Sequence, residues 1–158
     1  MSLFTPDFSY KNIYEVDYSM LKKIGIKCLL FDLDNTCIGY KEKEPNDKLI
    51  HLFHGLEKDG FRVVIFSNAR KKRLEPFVKL GIVCHHFSKK PFKWSFRKMM
   101  KKYSLSCDEV CIIGDQIFTD VLGGNRVGIR TCLVEPLTKE DFIVTKFFRK
   151  LENKILKR

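Results

Sequence analysis

Residues 25–37 read Gly25-Ile26-Lys27-Cys28-Leu29-Leu30-Phe31-Asp32-Leu33-Asp34-Asn35-Thr36-Cys37. Their order decides the fold. An unbroken apolar run from Cys28 to Phe31 is too short for a buried helix and lacks the alternation of a half-exposed strand. It fits a strand covered on both faces, the usual condition in a parallel sheet. The polarity then changes at once to two acids two residues apart, at the carboxyl end of that strand.

Outward from this point the pattern repeats. Strands are expected over 27–31, 61–66, 82–87, 109–113 and 129–134. Between them amphipathic helices are expected over 47–58, 71–80 (ended by Gly81 as a C-cap signal), 93–103 and 117–126. Strands separated by single helices imply right-handed crossovers. The expected class is therefore α/β, a mostly parallel sheet of about five strands with helices on both faces. Ligands of such sheets sit at the carboxyl ends of the strands, so the residues after Phe31, Phe66, Phe87 and Ile113 carry the functional reading.

The rest of the chain is compatible with this class. Its 158 residues suit one domain spanning 1–158. With 44% hydrophobic and 31% charged residues, neither disorder nor a fibrous repeat is indicated. The longest apolar stretches fall far short of the roughly 20 residues needed to span a bilayer. The amino-terminal residues lack the basic start and apolar middle of a secretory signal, so a cytoplasmic protein is expected. Six cysteines occur without a C-x-x-C pair, four of them (Cys28, Cys84, Cys111, Cys132) inside apolar strand-like runs where Cys acts as a small hydrophobe. Cys84-His85-His86 has no second ligand cluster at zinc spacing and reads as strand packing.

Four groups follow the four strands. Asp32 and Asp34 suit a nucleophilic carboxylate with a neighbouring acid/base, or ligands for a hard cation such as Mg²⁺, or an Asx-rich turn. Ser67-Asn68 can hold a phosphate oxygen or cap the next helix. Lys89-Lys90-Pro91 offers a phosphate-neutralising lysine or plain surface charge. Asp115 follows Gly114, with Asp120 five residues on, as cation ligands or as a capped helix start. Each has a bland explanation alone; their placement at successive strand ends in one domain favours a metal-dependent phosphate site.

In this order and chemistry the sequence resembles the haloacid dehalogenase (HAD) superfamily of phosphotransferases. The resemblance implies that Asp32 is the nucleophile, Asp34 the general acid/base, Ser67 and Asn68 phosphate ligands, and Lys90 the neutralising lysine. It further implies Mg²⁺ held by Asp32, the backbone carbonyl of Asp34, and Asp115, with Asp120 as the second acid of that motif and Thr36 supporting the loop and the substrate. Gly25-Ile26-Lys27 before the first acids, the extended run Gly114 to Arg126, and a late Thr145-Lys146-Phe147 resemble the YqeG-type subclass IIIA phosphatases. That group is similar to the mitochondrial phosphatidylglycerophosphatases, which implies a phosphorylated lipid, phosphatidylglycerophosphate, as substrate. Cys37 and Ala69 depart from the pattern, where an aliphatic and a second polar residue are usual. Short spacings after Thr36 and between Ser67 and Lys90 leave no room for a cap domain, so an open site is expected.

Finally, the charge is localised. The chain carries a net +11. Residues 70–102 hold twelve basic residues against one acid, Glu75, which accounts for all of it. Phe92, Trp94 and Phe96 lie among these lysines. The segment suits peripheral docking on an anionic membrane at its inner face, and nucleic acid explains the charge equally well. Residues 141–158 form an expected amphipathic basic helix, with Ile143, Val144, Phe147, Phe148, Leu151 and Ile155 at helical spacing: an interfacial helix or one docked on the domain. Two other functions stand beside the lipid phosphatase: a phosphatase for a soluble or nucleic-acid ester, and a non-catalytic RNA- or ribosome-binding adaptor. The complete set of motif carboxylates and Lys90 argues against the adaptor.

Overall fold

The structure, a computed structural model, describes residues 2–138 and 143–156, with side chains from Arg149 onward in the second segment. The expected strands form as β2 (Cys28–Phe31), β3 (Arg62–Phe66), β4 (Val83–His85), β5 (Val110–Gly114) and β6 (Arg130–Val134), preceded by β1 (Phe8–Tyr10). The helices are α1 (Tyr18–Lys23), α2 (Asp47–Lys58), α3 (Lys71–Lys79), α4 (Lys93–Lys102), α5 (Leu122–Val127) and α6 (Ile143–Leu156). Among the described residues, side-chain caps start two of them. Asp17 accepts from the Met20 amide and Asn46 from the Leu49 amide, each at 2.9 Å, filling donors the first turn cannot satisfy.

The sheet has six strands, one more than expected, in the order β1-β6-β5-β2-β3-β4 with every pairing parallel. The extra strand, β1, is only three residues long, too short for periodicity to register. The expected helix over 117–126 is also corrected: residues 117–121 make a π-helical turn before α5 begins. β4 is shorter than expected, ending at His85.

Alternate residues of each strand feed two cores. Leu29, Phe31, Val63, Ile65, Cys111 and Ile113 pack on one face with Leu49 and Phe53 of α2 and Phe77 of α3. Cys28, Leu30, Val64, Phe66, Val110 and Ile112 pack on the other with Phe96 and Met99 of α4. Burial on both faces explains why β2 and β5 lack polar alternation. Cys28, Cys111 and Cys132 lie in this core and all six cysteines are unpaired. Burial pushes the thiols of Cys28, Cys84 and Cys132 up to about 12, so they remain protonated packing groups.

The topology fixes where a ligand goes. The chain runs from β2 outward through β3 to β4, then returns to lay β5 and β6 on the opposite side of β2. The order reverses between β2 and β5, and the crevice at the carboxyl ends of such a pair is the binding position of doubly wound sheets. Phe31 is in register with Ile113, so Asp32 and the Gly114-Asp115 turn face this crevice together. Residues 37–46 alone join Thr36 to α2, and α3 and β4 alone separate Ser67 from the loop carrying Lys90. No cap intervenes at either position.

Candidate active site

Asp32, Asp115 and Asp120 converge at the switch point. All three are buried, and one carboxylate oxygen from each lies within 4.8 Å of the others. Asp32 is fixed by the strand ladder, its amide donating to the Ile113 carbonyl at 2.9 Å. Asp120 arrives through the π-helical turn, where its amide donates to the Gln116 carbonyl at 3.0 Å and its carboxylate accepts from the Gln116 amide at 3.2 Å. Gly114 makes this approach feasible, because a Cβ there would collide with the Asp120 carboxylate.

Lys90 is the cation between Asp32 and Asp120. Its ammonium donates to Asp32 Oδ1 at 2.9 Å and to Asp120 Oδ1 at 2.7 Å, from a side chain only 1% exposed. Burial alone would depress its pKa, but the Asp120 and Asp32 charges outweigh burial and hold it above the ordinary lysine value. The lysine is therefore charged at neutral pH. Asn68 holds its backbone on both sides, accepting from the Lys90 amide at 2.8 Å and donating to the Lys90 carbonyl at 3.1 Å. The Asn68 side chain therefore places Lys90 at the crevice. Ser67 is buried at the end of β3, where its Oγ accepts from the Ala69 amide at 3.0 Å.

Thr36 donates to Asp115 Oδ1 at 2.9 Å, orienting that acid across the crevice. Asp34 stands at the rim, half-buried. Burial, reinforced by the Asp32 charge, raises its carboxyl above the ordinary value against the pull of Arg73. Arg73 donates from Nε at 3.2 Å and from Nη2 at 3.0 Å to Asp34 Oδ1. Sequence reasoning missed Arg73 because nothing in the run Arg70-Lys71-Lys72-Arg73 separates it from its neighbours. Helical phase supplies the only signal, since it stands one residue before buried Leu74.

Arg149 and Glu152 were missed for a related reason. Arg149 of α6 donates to the Asp115 carbonyl at 3.1 Å and forms an ion pair with Asp115 Oδ2. Glu152, 4% exposed, accepts from the Phe118 amide at 3.1 Å. The expected amphipathic pattern is inverted over this turn: Leu151 of the apolar stripe is exposed and Glu152 is buried. The described part of α6 is docked on the domain through polar contacts. Thr145-Lys146-Phe147 and the side chains of Ile143, Val144, Phe147 and Phe148 lie outside the described residues.

The donor set suits a hard divalent cation. Three buried carboxylates supply only oxygen atoms, as Mg²⁺ prefers. Burial, with Asp32 adding like charge, lifts the Asp115 carboxyl well above its ordinary value. Burial likewise pushes Asp120 up to about 6 despite Lys90 beside it. Such crowding of negative charge in a dry crevice is what a bound cation relieves.

The chain is similar to known phosphatases. A family model described as HAD-hydrolase-like matches residues 88–136, from the Lys90 loop through β6. The Bacillus subtilis protein named "Probable phosphatase YqeG" is 36% identical over 154 residues, covering 97% of this chain and 90% of that protein. Phosphatidylglycerophosphate phosphatase 1, chloroplastic/mitochondrial, of Arabidopsis thaliana is 31% identical over 97% of this chain, which spans 47% of that longer protein. Among solved structures, the cobalt-bound deoxy-D-mannose-octulosonate 8-phosphate phosphatase of Haemophilus influenzae shares the fold. Its TM-score is 0.58 at 16% identity, with 86% of this chain and 90% of that one covered. The chain belongs to the YqeG-type group of haloacid dehalogenase-like phosphatases.

Proposed function

We propose that this phosphatase hydrolyses phosphomonoesters through an aspartyl-phosphate on Asp32, with Mg²⁺ as cofactor. The observation that carries the reading is the convergence of Asp32, Asp115 and Asp120 at the switch point of the sheet, with Lys90 bridging Asp32 and Asp120. Asp32, Asp115 and the backbone carbonyl of Asp34 would hold the cation, which when bound neutralises phosphoryl charge. Lys90 holds one Asp32 oxygen, leaving the carboxylate oriented for attack, and faces the incoming phosphate with a positive charge. Asp32 forms the new bond to phosphorus as the ester oxygen leaves. Asp34, aimed by Arg73, gives a proton to that oxygen as general acid. Asp34 then takes a proton from water, which attacks the acyl phosphate, releases inorganic phosphate and restores Asp32.

The substrate we infer is phosphatidylglycerophosphate. The support is chemical as well as by relation to the Arabidopsis enzyme. On the Asp34 side of the site, where the leaving group departs, a groove of about 770 Å³ is lined by Arg70, Lys72, Arg73, Lys43 and Tyr40. The leaving group of this lipid retains a phosphodiester, which such a groove complements. Among the described residues no helix is long and apolar enough to cross a membrane, so the lipid would be met at a surface.

Purified protein is expected to release phosphate from phosphatidylglycerophosphate in mixed vesicles with Mg²⁺, and Asp32→Asn to release none. Undiminished release by Asp32→Asn would sink the mechanism. Equal turnover of a small soluble ester without vesicles would replace the lipid by a soluble substrate.

A further inference from the structure

The loop between β4 and α4 faces two ways. Lys90 points into the catalytic crevice, while Phe87 and Phe92 of the loop and Trp94 in the first turn of α4 are exposed, at 52%, 55% and 53%. Phe96, close by in sequence, is fully buried, so the structure separates a core aromatic from three surface ones. Phe87 and Trp94 line one cavity, with exposed Phe92 between them in the chain, and exposed large aromatics so grouped mark a contact surface.

The outward set is held there. Phe87 and Lys89 adopt φ of +45° and +48°, a left-handed region that bulky residues rarely occupy. The loop is pinned in this shape by the Phe87 amide donating to the Ala69 carbonyl at 3.0 Å and the Ser88 amide to the Ser67 carbonyl at 2.9 Å. Asn68 grips Lys90 between them. Phe87 and Trp94 form two walls of a cavity of about 430 Å³ whose other lining includes His86, Lys98 and Lys102. Lys89 lies over the Trp94 ring, 5.8 Å from its centroid. Lys89, Lys93, Lys98 and Lys102 are all exposed.

We propose that Phe87, Phe92 and Trp94 are a docking surface that enters the interfacial zone of an anionic lipid bilayer, with Lys89, Lys93, Lys98 and Lys102 on the headgroup phosphates. The charge is complementary to that partner alone among apolar ones: the aromatics supply rings suited to headgroup depth, and the surrounding lysines bind the negative surface. An uncharged hydrophobic protein partner would leave these lysines unmatched. Because the same loop carries Lys90, docking brings the catalytic crevice to the bilayer surface. The inference extends the lipid reading above and rests on it for its purpose, though the docking is measured without turnover.

Trp94 is the only tryptophan in the chain, so its emission reports the contact directly. The test uses the full chain with phosphatidylcholine vesicles with and without phosphatidylglycerol. Trp94 fluorescence should shift to the blue and be quenched by brominated lipid only with the anionic vesicles. Phe87→Ser with Phe92→Ser should weaken binding at least about tenfold, and each lysine neutralised about fivefold. The double variant should keep the wild-type melting temperature and rate on a water-soluble phosphomonoester. Vesicle binding without a Trp94 response would place the contact elsewhere and overturn the proposal. So would RNA binding that is salt-sensitive, equal in both proteins and unaccompanied by vesicle binding. Wild-type protein that docks as described but hydrolyses no ester would sink the proposed function and leave the docking surface standing.

Discussion

Replacing Lys90 with Met removes the one cation that touches both Asp32 and Asp120 while keeping most of the side-chain volume. The ammonium is buried and makes contacts of 2.9 and 2.7 Å, so its loss strands two carboxylates in a low-dielectric site. Removing one partner of a buried ion pair costs about 3–5 kcal/mol. For a chain of this size each kcal/mol lowers the melting midpoint by about 2–4 °C, giving a fall of about 6–20 °C. A divalent cation should restore part of that loss by supplying charge to the same carboxylates, so added Mg²⁺ should raise the midpoint more in Lys90→Met than in the wild type. Phosphate release should still drop by at least about 10²-fold, since the lysine is needed opposite the phosphoryl group. Thermal melts with and without Mg²⁺, beside a phosphate-release assay, read all three effects. A variant that melts like the wild type and gains nothing extra from Mg²⁺ would refute the reasoning, because the acids would then not depend on Lys90 for their charge balance.

Other outcomes follow from single contacts. Arg73→Gln should reduce kcat/KM about 10- to 100-fold, the worth of a charge-assisted hydrogen bond to Asp34, with the folded state retained by circular dichroism. Gly114→Ala should displace Asp120 and cost about 1–3 kcal/mol, visible as a lower melting temperature together with lost activity. Ser106 and Glu109 form a reciprocal capping box before β5, so Ser106→Ala should cost about 1 kcal/mol while leaving the rate of hydrolysis unchanged.

The parts legible in sequence were those where one local signal carried the information. β2 is readable because an apolar run ends abruptly in acids, and α2 because Leu49, Ile50, Phe53 and Leu56 recur on one helical face. Asp32, Asp115, Asp120 and Lys90 could be named because each follows a strand, and parallel topology gathers strand ends. What stayed hidden depends on contacts across the fold. β1 is defined by its pairing to β6, more than 120 residues away in sequence. Arg73 and Arg149 look like any surface base until the fold brings Arg73 against Asp34 and Arg149 against Asp115. Asn68 could be placed beside the site but not given its task, because gripping the Lys90 backbone requires the β3 and β4 ends to be neighbours. The π-helical turn at 117–121 was read as ordinary helix, since the apolar spacing there does not distinguish the two.

The central claim is that Asp32 carries the phosphoryl group. Enzyme mixed with a radiolabelled phosphomonoester and Mg²⁺, quenched in acid within one turnover and digested, gives the direct measurement. The label should appear on the peptide containing Asp32, be released by hydroxylamine as an acyl phosphate, and be absent from Asp32→Asn. Steady turnover with no labelled protein, or label on a peptide that lacks Asp32, would contradict it.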